Sequence, residues 1–258
     1  MKFTSTTILN PITPKSPFEK TDSKGIFYIG MALVAIVIAI AGFGPTMVDT
    51  ESRREPVNLA VAVHGAIFGA WLVLFLAQAI LVSKGKISFH RKMGYVGAVL
   101  AILMVVSGYL TAINMARRGY DLSGDLIHGV NDPITLLALQ LGDIFTFGLL
   151  VGIAIWYRKR SDIHKRLMLL ATVGALMPAA LTHIIGHSPV LREIQAPIIV
   201  IPLFLLLFAS AIRDRIYLGR IHPISLWVAL AMFVWSNLRA VVIGPSEFWH
   251  EIANWLIQ

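Results

Sequence analysis

Residues 26–48 read IFYIGMALVAIVIAIAGFGPTMV, a run of 23 residues without a formal charge. A helix rises about 1.5 Å per residue, so about 20 apolar residues cross a hydrocarbon core about 30 Å thick. Six further segments share this character, and the full set of candidate spans is approximately 26–48, 57–83, 93–116, 134–157, 167–186, 196–212 and 222–243. Because backbone polar groups in lipid must be satisfied within the chain, each segment favours a helix. The sequence therefore predicts an all-α membrane bundle with seven transmembrane helices.

The composition agrees with a membrane protein and excludes several other classes. The 258-residue chain is 57% hydrophobic and 14% charged, whereas soluble domains average about 45–50% and about 25%. These values and the long apolar runs exclude an ordinary soluble domain and a disordered chain. The chain has no cysteine, which excludes an iron–sulfur cluster, a covalent c-type haem and a thiolate zinc site.

The basic residues predict an orientation. Most of the 22 Lys and Arg residues lie in the N-terminal tail and in the connections that follow spans two, four and six. The positive-inside rule places these parts in the cytoplasm, so the N-terminus lies inside and the C-terminus outside. We interpret the net charge of +8 as contact with anionic lipid headgroups, not with nucleic acid. Residues 1–25 are then a flexible cytoplasmic tail, and 26–243 form the transmembrane domain.

Residues 244–258 follow the last span and form a separate short segment. An amphipathic pattern places five apolar residues near one helical face, namely Phe248, Trp249, Ile252, Trp255 and Leu256. This pattern predicts either an interfacial helix on the outer leaflet or a cap packed over the bundle.

Spans three, five and seven begin alike, with a histidine after a basic connection: His90, His164 and His222. The repetition predicts one leading helix followed by three helical hairpins, formed by spans 2–3, 4–5 and 6–7. Each histidine would lie at a helix N-terminus, where it could cap a turn, contact a lipid phosphate, ligate haem or handle protons. A helix N-terminus disfavours a protonated histidine, which keeps the imidazole neutral and able to ligate.

Ionisable residues inside membrane spans are expensive and mark candidate functional sites. The chain has four such residues in the predicted outer half, His64, Asp143, His183 and Arg239, with Gln140 and Asn237 at comparable depth. We expect Asp143 to pair with Arg239 or with a histidine. His64 is predicted either to hydrogen-bond between helices or to bind a cofactor.

His183 and His187 form an HxxxH pair on one predicted helix face. Residues four apart can meet one metal ion or one partner helix. The alternative is that His183 is a hydrogen-bonded core residue and His187 lies in a wet loop.

Five stretches together resemble a family of uncharacterised bacterial seven-span inner-membrane proteins. The most specific is HKRLMLLAT at 164–172, and the others are GFGPT at 42–46, HG at 64–65 leading into WLVLFL at 71–76 and Gln78, HR at 90–91 with Gly94 and Gly97, and GRIHP at 219–223. The resemblance runs from about residue 26 to the C-terminus. It implies the multi-span fold and a bacterial inner-membrane location.

The chain is also similar to cytochrome b561-like proteins, which show histidines on successive spans and a His-Arg-x-x-Gly turn. His90, Arg91 and Gly94 match that turn. The resemblance implies b-type haem held between His64 and His183 near the outer face and between His90 and His164 near the inner face. Asp143 or Arg239 would then support the outer haem or pair with its propionates. A redox protein that passes electrons to a membrane partner is therefore the leading hypothesis.

Two alternatives belong to other classes. A zinc-dependent membrane hydrolase would hold its ion with His64, His183 and His187, with Asp143 as base or orienting group. This layout resembles the adiponectin-receptor and haemolysin III type. A small-solute or proton transporter, a sensor or a non-catalytic partner subunit would use Asp143 and Arg239 along a path. The sequence leaves open whether the chain is an enzyme, which substrate or electron partner it meets, and its oligomeric state.

Overall fold

The computed structural model describes residues 25–48, 59–118, 132–187 and 196–258, apart from the side chains at positions 46, 186–187 and 196–200. These ranges are helical and contain no strand. The helices are α1 (Ile26–Val48), α2 (Leu59–Ser83), α3 (Ile87–Arg117), α4 (Pro133–Trp156), α5 (Ser161–Leu169), α6 (Ala175–His187), α7 (Ala196–Leu218), α8 (Pro223–Leu238) and α9 (Glu247–Leu256). Two π-helical segments, Leu170–Gly174 and Arg239–Ile243, join α5 to α6 and extend α8. The prediction of an all-α bundle is confirmed for the described residues.

Six of the described helical stretches are long and apolar enough to cross a membrane: Ile26–Pro45, Leu59–Ser83, Ile87–Arg117, Pro133–Trp156, Ser161–Ile185 and Pro223–Ile243. The remaining predicted span, 196–212, is not among these six. It lies in α7, whose last turns carry Arg213, Asp214 and Arg215. Helices α3 and α5 begin about one to two turns earlier than predicted. Basic side chains in the first turn of a helix can extend to the lipid headgroups, so a helix can begin within a basic connection.

The predicted hairpins have counterparts in the helix packing, since α2 contacts α3, α4 contacts α5, and α7 contacts α8. Two of the connections turn at glycines with left-handed backbone, Gly85 at φ 70° and Gly219 at φ 68°. A side chain at either position would be strained, because L-residues other than glycine disfavour that region.

The centre of the bundle is built on the continuous rod of α5, the first π-helical segment and α6. The segment Leu170–Gly174 is buried throughout. Trp71 on α2 donates from Nε1 to Oγ1 of Thr172 at 3.2 Å, and its ring meets Phe147 of α4 edge to face at 5.0 Å. A Cβ on Gly174 would lie 2.6 Å from Cε of Met232 on α8. Close packing at this level therefore joins α2, α4 and α8 to the rod.

The C-terminal segment forms α9, which packs against the first turns of α4. Ser246 caps the helix by accepting a hydrogen bond from the backbone N–H of Trp249 at 3.2 Å. Nε1 of Trp249 donates to the carbonyl oxygen of Ile134 at 2.7 Å. Phe248 and Trp255 are 73% and 71% exposed, so α9 covers α4 with one face and presents large apolar side chains on another. The predicted tail, apart from Gly25, lies outside the described residues.

Candidate functional site

His90 and His164 lie next to each other at one end of the bundle. Each is in the first turn of its helix, α3 and α5. Their ring centroids are 6.4 Å apart, and the ring planes are inclined by 79°. The structure therefore brings together the two residues that were predicted as the inner histidine pair.

Hydrogen bonds at this end fix one ring and the backbone beside the other. Nδ1 of His164 lies 2.8 Å from the carbonyl oxygen of Ala154 at the end of α4. A carbonyl oxygen only accepts, so in a neutral ring Nδ1 carries the proton and Nε2 carries the lone pair. On the other side, Nε2 of Gln78 donates to the carbonyl oxygen of His90 at 3.3 Å. The arrangement leaves His164 with a ligating nitrogen.

A second cluster lies at the same end of the bundle as the predicted inner histidine pair and centres on Arg166; we call it the inner ionic network for that prediction. This arginine is fully buried. Nε of Arg166 lies 3.0 Å from Oδ2 of Asp214 and 2.9 Å from Oγ of Ser225, while Nη2 donates to Oδ1 of Asp214. Nη1 donates to the carbonyl oxygen of Asp162 at 2.7 Å. Oγ of Ser225 donates to Asp214 at 2.7 Å and lies 3.1 Å from Oγ of Ser210. The guanidinium therefore ties α5 to α7 and α8.

His222 closes this network at the start of α8. Its Nδ1 accepts a hydrogen bond from the backbone N–H of Ile224 at 3.1 Å, so in a neutral ring the proton is on Nε2. Nε2 lies 3.3 Å from Oδ2 of Asp162, and the backbone N–H of His222 donates to Asp214 at 3.3 Å. The prediction that His222 lies at a helix N-terminus is confirmed, and the side chain caps that helix.

A further ion pair, called the outer ion pair because the sequence predicts it in the outer half, joins α4 to the second π-helical segment, which begins at Arg239. Nη2 of Arg239 donates to Oδ1 of Asp143 at 2.6 Å, and Nη1 donates to the carbonyl oxygen of Leu139. The expectation that Asp143 pairs with Arg239 is therefore confirmed. Nε of Arg239 is buried and has no hydrogen-bond partner among the described residues. Gly142 leaves the space for the guanidinium, since a Cβ there would overlap it.

The other predicted histidines lie on different helix pairs. The ring of His64 contacts Phe68 on the same helix, with centroids 4.2 Å apart and the planes inclined by 34°. Its Cε1 lies 3.9 Å from the position of a Cβ on Gly108 of α3. The ring of His183 contacts Phe43 of α1 with centroids 4.7 Å apart. The pairing of His64 with His183 stays a prediction.

The remaining predicted ligands and supporting residues have separate positions. The side chain of His187 lies outside those described, and no group of three or more His, Asp or Glu residues within the described ranges could hold a metal ion. The zinc site of His64, His183 and His187 stays a prediction. Nδ2 of Asn237 donates to the carbonyl oxygen of Phe233 on its own helix at 2.8 Å. Gln140 lies half-buried on α4.

Sequence reasoning missed Asp162, Arg166 and Asp214, which form the most completely hydrogen-bonded cluster among the described residues. They lie in or beside basic connections, where the positive-inside rule explains the charged residues by membrane orientation alone. A signal was nevertheless present in the sequence. Asp162 and Arg166 are four residues apart, so they share a helix face, and Asp214 is an acid between Arg213 and Arg215.

No protein-family model, curated protein or solved structure matches this chain.

Proposed function

We propose that this chain is a bacterial inner-membrane redox protein that spans the bilayer seven times and holds a b-type haem between His90 and His164. Six apolar helices support the membrane assignment, and α7 would be the additional span. By the positive-inside rule, the basic connections around His90 and His164 would put both residues on the cytoplasmic side. The N-terminus would then lie inside and the C-terminus outside.

One observation carries the haem assignment, namely the separation of the two imidazole rings. Two imidazoles on opposite sides of one metal ion, with bonds of about 2.0–2.1 Å, place their ring centroids roughly 6 Å apart, whereas two ligands of a tetrahedral zinc lie roughly 5 Å apart. The centroids of His90 and His164 are 6.4 Å apart. This spacing fits ligands on opposite faces of one iron better than a tetrahedral ion.

The surroundings of the pair also suit ligation. The bond from Nδ1 of His164 to the carbonyl oxygen of Ala154 orients the ring and makes Nε2 more basic. Arg91, next to His90, supplies a positive charge that would pair with a haem propionate. When bound, the haem iron supplies one-electron redox chemistry, which two histidine ligands favour over binding of oxygen.

The experiment is an optical spectrum of the detergent-solubilised protein made with ample haem. We expect a Soret band and reduced α and β bands in the wild type, and loss of one haem per protein from these bands in His90→Ala and His164→Ala. His250→Ala is the matched control, because His250 pairs with Asp132 at the other end of α4. A wild-type protein without a Soret band would overturn the proposal.

The outer pair of His64 and His183 would hold a second haem in the same proposal. The haem-to-protein ratio separates the two sites. A ratio near two that falls to one in His64→Ala supports both haems, and a ratio near one that is unchanged in His64→Ala restricts the proposal to the inner site.

A second candidate function, a proton or small-solute path, is favoured by the unpartnered Nε of buried Arg239. Buried charged groups that are incompletely paired occur along such paths. Proton uptake into proteoliposomes would test this candidate. Transport that is lost in Asp143→Asn, in protein without haem bands, would favour the path over the redox function.

A further inference from the structure

Two buried polar atoms lie in the hairpin of α2 and α3, beside the inner histidine pair. Oε1 of Gln78 and Nδ1 of His90 both lack a hydrogen-bond partner among the described residues. The two residues already interact, because Nε2 of Gln78 donates to the carbonyl oxygen of His90 at 3.3 Å. Buried polar groups are nearly always satisfied in folded proteins, so two of them in one hairpin call for an explanation.

The two atoms have complementary chemistry. An amide oxygen only accepts hydrogen bonds, and a ring nitrogen of neutral histidine donates when it carries the proton. The partner ring gives the precedent, since Nδ1 of His164 is hydrogen-bonded to the carbonyl oxygen of Ala154. An acceptor for Nδ1 of His90 would give both rings the same tautomer.

We propose that Gln78 is the positioning residue of His90, with Oε1 of the amide accepting the Nδ1–H of the imidazole directly or across one water molecule. The contact fixes the tautomer of His90 and leaves its lone pair on Nε2. The role in haem ligation rests on the function proposed above, whereas the tautomer does not. Gln78 on α2 and Ala154 on α4 would then orient the two rings by the same kind of bond.

The first test measures the tautomer without haem. Nitrogen-15 NMR of histidine-labelled, haem-free protein in bilayers at about pH 8 examines neutral imidazoles, since the usual histidine pKa is about 6.5. The His90 signals are identified by their loss in His90→Ala. We expect protonated Nδ1 in the wild type and a shift toward protonated Nε2 in Gln78→Leu. A His90 tautomer that is unchanged in Gln78→Leu would overturn the proposal.

Two further variants separate positioning from folding. Asn114→Leu removes an amide near the other end of α3 and is the matched control, which we expect to leave the His90 tautomer unchanged. Gln78→Glu keeps an oxygen acceptor of similar size, so it should restore protonated Nδ1. If Gln78→Leu does not fold, the Gln78→Glu protein still decides, because protonated Nε2 in that variant contradicts the proposal.

The second test concerns the haem. Loss of a supporting hydrogen bond typically weakens metal affinity by about 10–100-fold, and we expect this weakening in Gln78→Leu but not in Asn114→Leu. Gln78→Glu should lower the reduction potential, because a carboxylate makes the ligand more basic. Haem binding that depends on His90 but not on Gln78 overturns the positioning role alone. Absence of haem overturns the function proposed above, and the NMR experiment then still tests the tautomer.

Discussion

Two Arg–Asp pairs with buried guanidinium groups join distant parts of this bundle, and they differ in how completely they are hydrogen-bonded. In the inner ionic network, Arg166 meets Asp214 through two nitrogens and also bonds to Ser225 and to the backbone. In the outer ion pair, Arg239 contacts one oxygen of Asp143 and one carbonyl, and its Nε has no partner among the described residues. Both arginines are almost fully buried.

The difference indicates separate roles for the two pairs. A buried ion pair contributes to stability only where its geometry is good and its remaining polar groups are satisfied. The inner network meets this condition and holds α5, α7 and α8 together. The outer ion pair meets it only in part, so it can change partners at lower cost. We therefore expect the inner network to stabilise the fold and the outer ion pair to tolerate substitution.

The largest effect is expected for Arg166→Met. The substitution removes the hydrogen-bonded cation of buried Asp214 and leaves it only Arg213, whose Nη1 lies 3.6 Å from Oδ1. We expect a loss of about 3 kcal/mol of unfolding free energy, the lower end of the cost of breaking a buried ion pair. Thermal unfolding in detergent, followed by circular dichroism, measures the loss. Arg160→Met is the matched control, because Arg160 lies in the same connection, 61% exposed, 3.7 Å from Asp162. Exposed pairs contribute only about 0–1 kcal/mol, and equal losses in the two variants would contradict a stabilising network.

A smaller effect is expected for Arg239→Met. The outer ion pair has fewer hydrogen bonds to lose, so the cost should be about 1–3 kcal/mol. Asp143→Asn should cost less than the arginine variant, and the double variant should cost less than the two single changes together, because the residues contact each other. If Asp143→Asn and Arg239→Gln both leave stability unchanged, the pair is not structural and a transport path gains support.

The same comparison shows what the sequence could predict. Arg239 and Asp143 were identified because they interrupt apolar spans, where a charge has no other explanation. Arg166 and Asp214 were missed because several charged residues lie close together in and beside the basic connections. The sequence does not indicate which of these side chains is buried. Helical spans follow from hydropathy alone, whereas the 6.4 Å separation of His90 and His164 depends on how the hairpins pack. The first turn of a helix can hold basic residues, so α3 and α5 begin earlier in the structure than the apolar runs predict.

Gly142→Ala tests whether the outer ion pair depends on a close approach between helices. A Cβ at this position would overlap the guanidinium of Arg239, so the variant should lose about 1–2 kcal/mol, within the usual range for overpacking. Gly152→Ala, on the same helix, has open space around the new Cβ and should be neutral or gain up to about 1 kcal/mol in helix propensity. In an Arg239→Met background the cost of Gly142→Ala should disappear. If Gly142→Ala still lowers stability in that background, the new Cβ overlaps a group other than the Arg239 guanidinium.

The smallest effect concerns Asp132, the N-cap of α4, which is better supplied with hydrogen-bond donors than Asp143 further along the same helix. Its carboxylate accepts hydrogen bonds from the backbone N–H groups of Ile134 and Thr135 at 3.1 and 2.9 Å and from the Thr135 hydroxyl at 2.6 Å. Burial opposes the charged form, but these bonds and the nearby His250 outweigh it and lower the pKa of Asp132. Loss of such a cap costs about 1 kcal/mol, so Asp132→Ala should lose that amount near pH 7.

Because the pKa of Asp132 is lowered, its contribution to stability depends on pH. The charged carboxylate is favoured in the folded state, so its stabilisation is complete above the unfolded pKa of about 3.9 and is lost as the pH falls further. Asn caps nearly as well as Asp but does not titrate. The difference in unfolding free energy between wild type and Asp132→Asn should therefore shrink as the pH falls from about 5 to about 3. Ser246→Ala removes the uncharged cap of α9, and its cost should not depend on pH over that range. If the stability difference between wild type and Asp132→Asn is constant with pH, the donors around Asp132 do not favour its charge. Hydrogen bonding would then no longer distinguish this partly exposed carboxylate from that of Asp143.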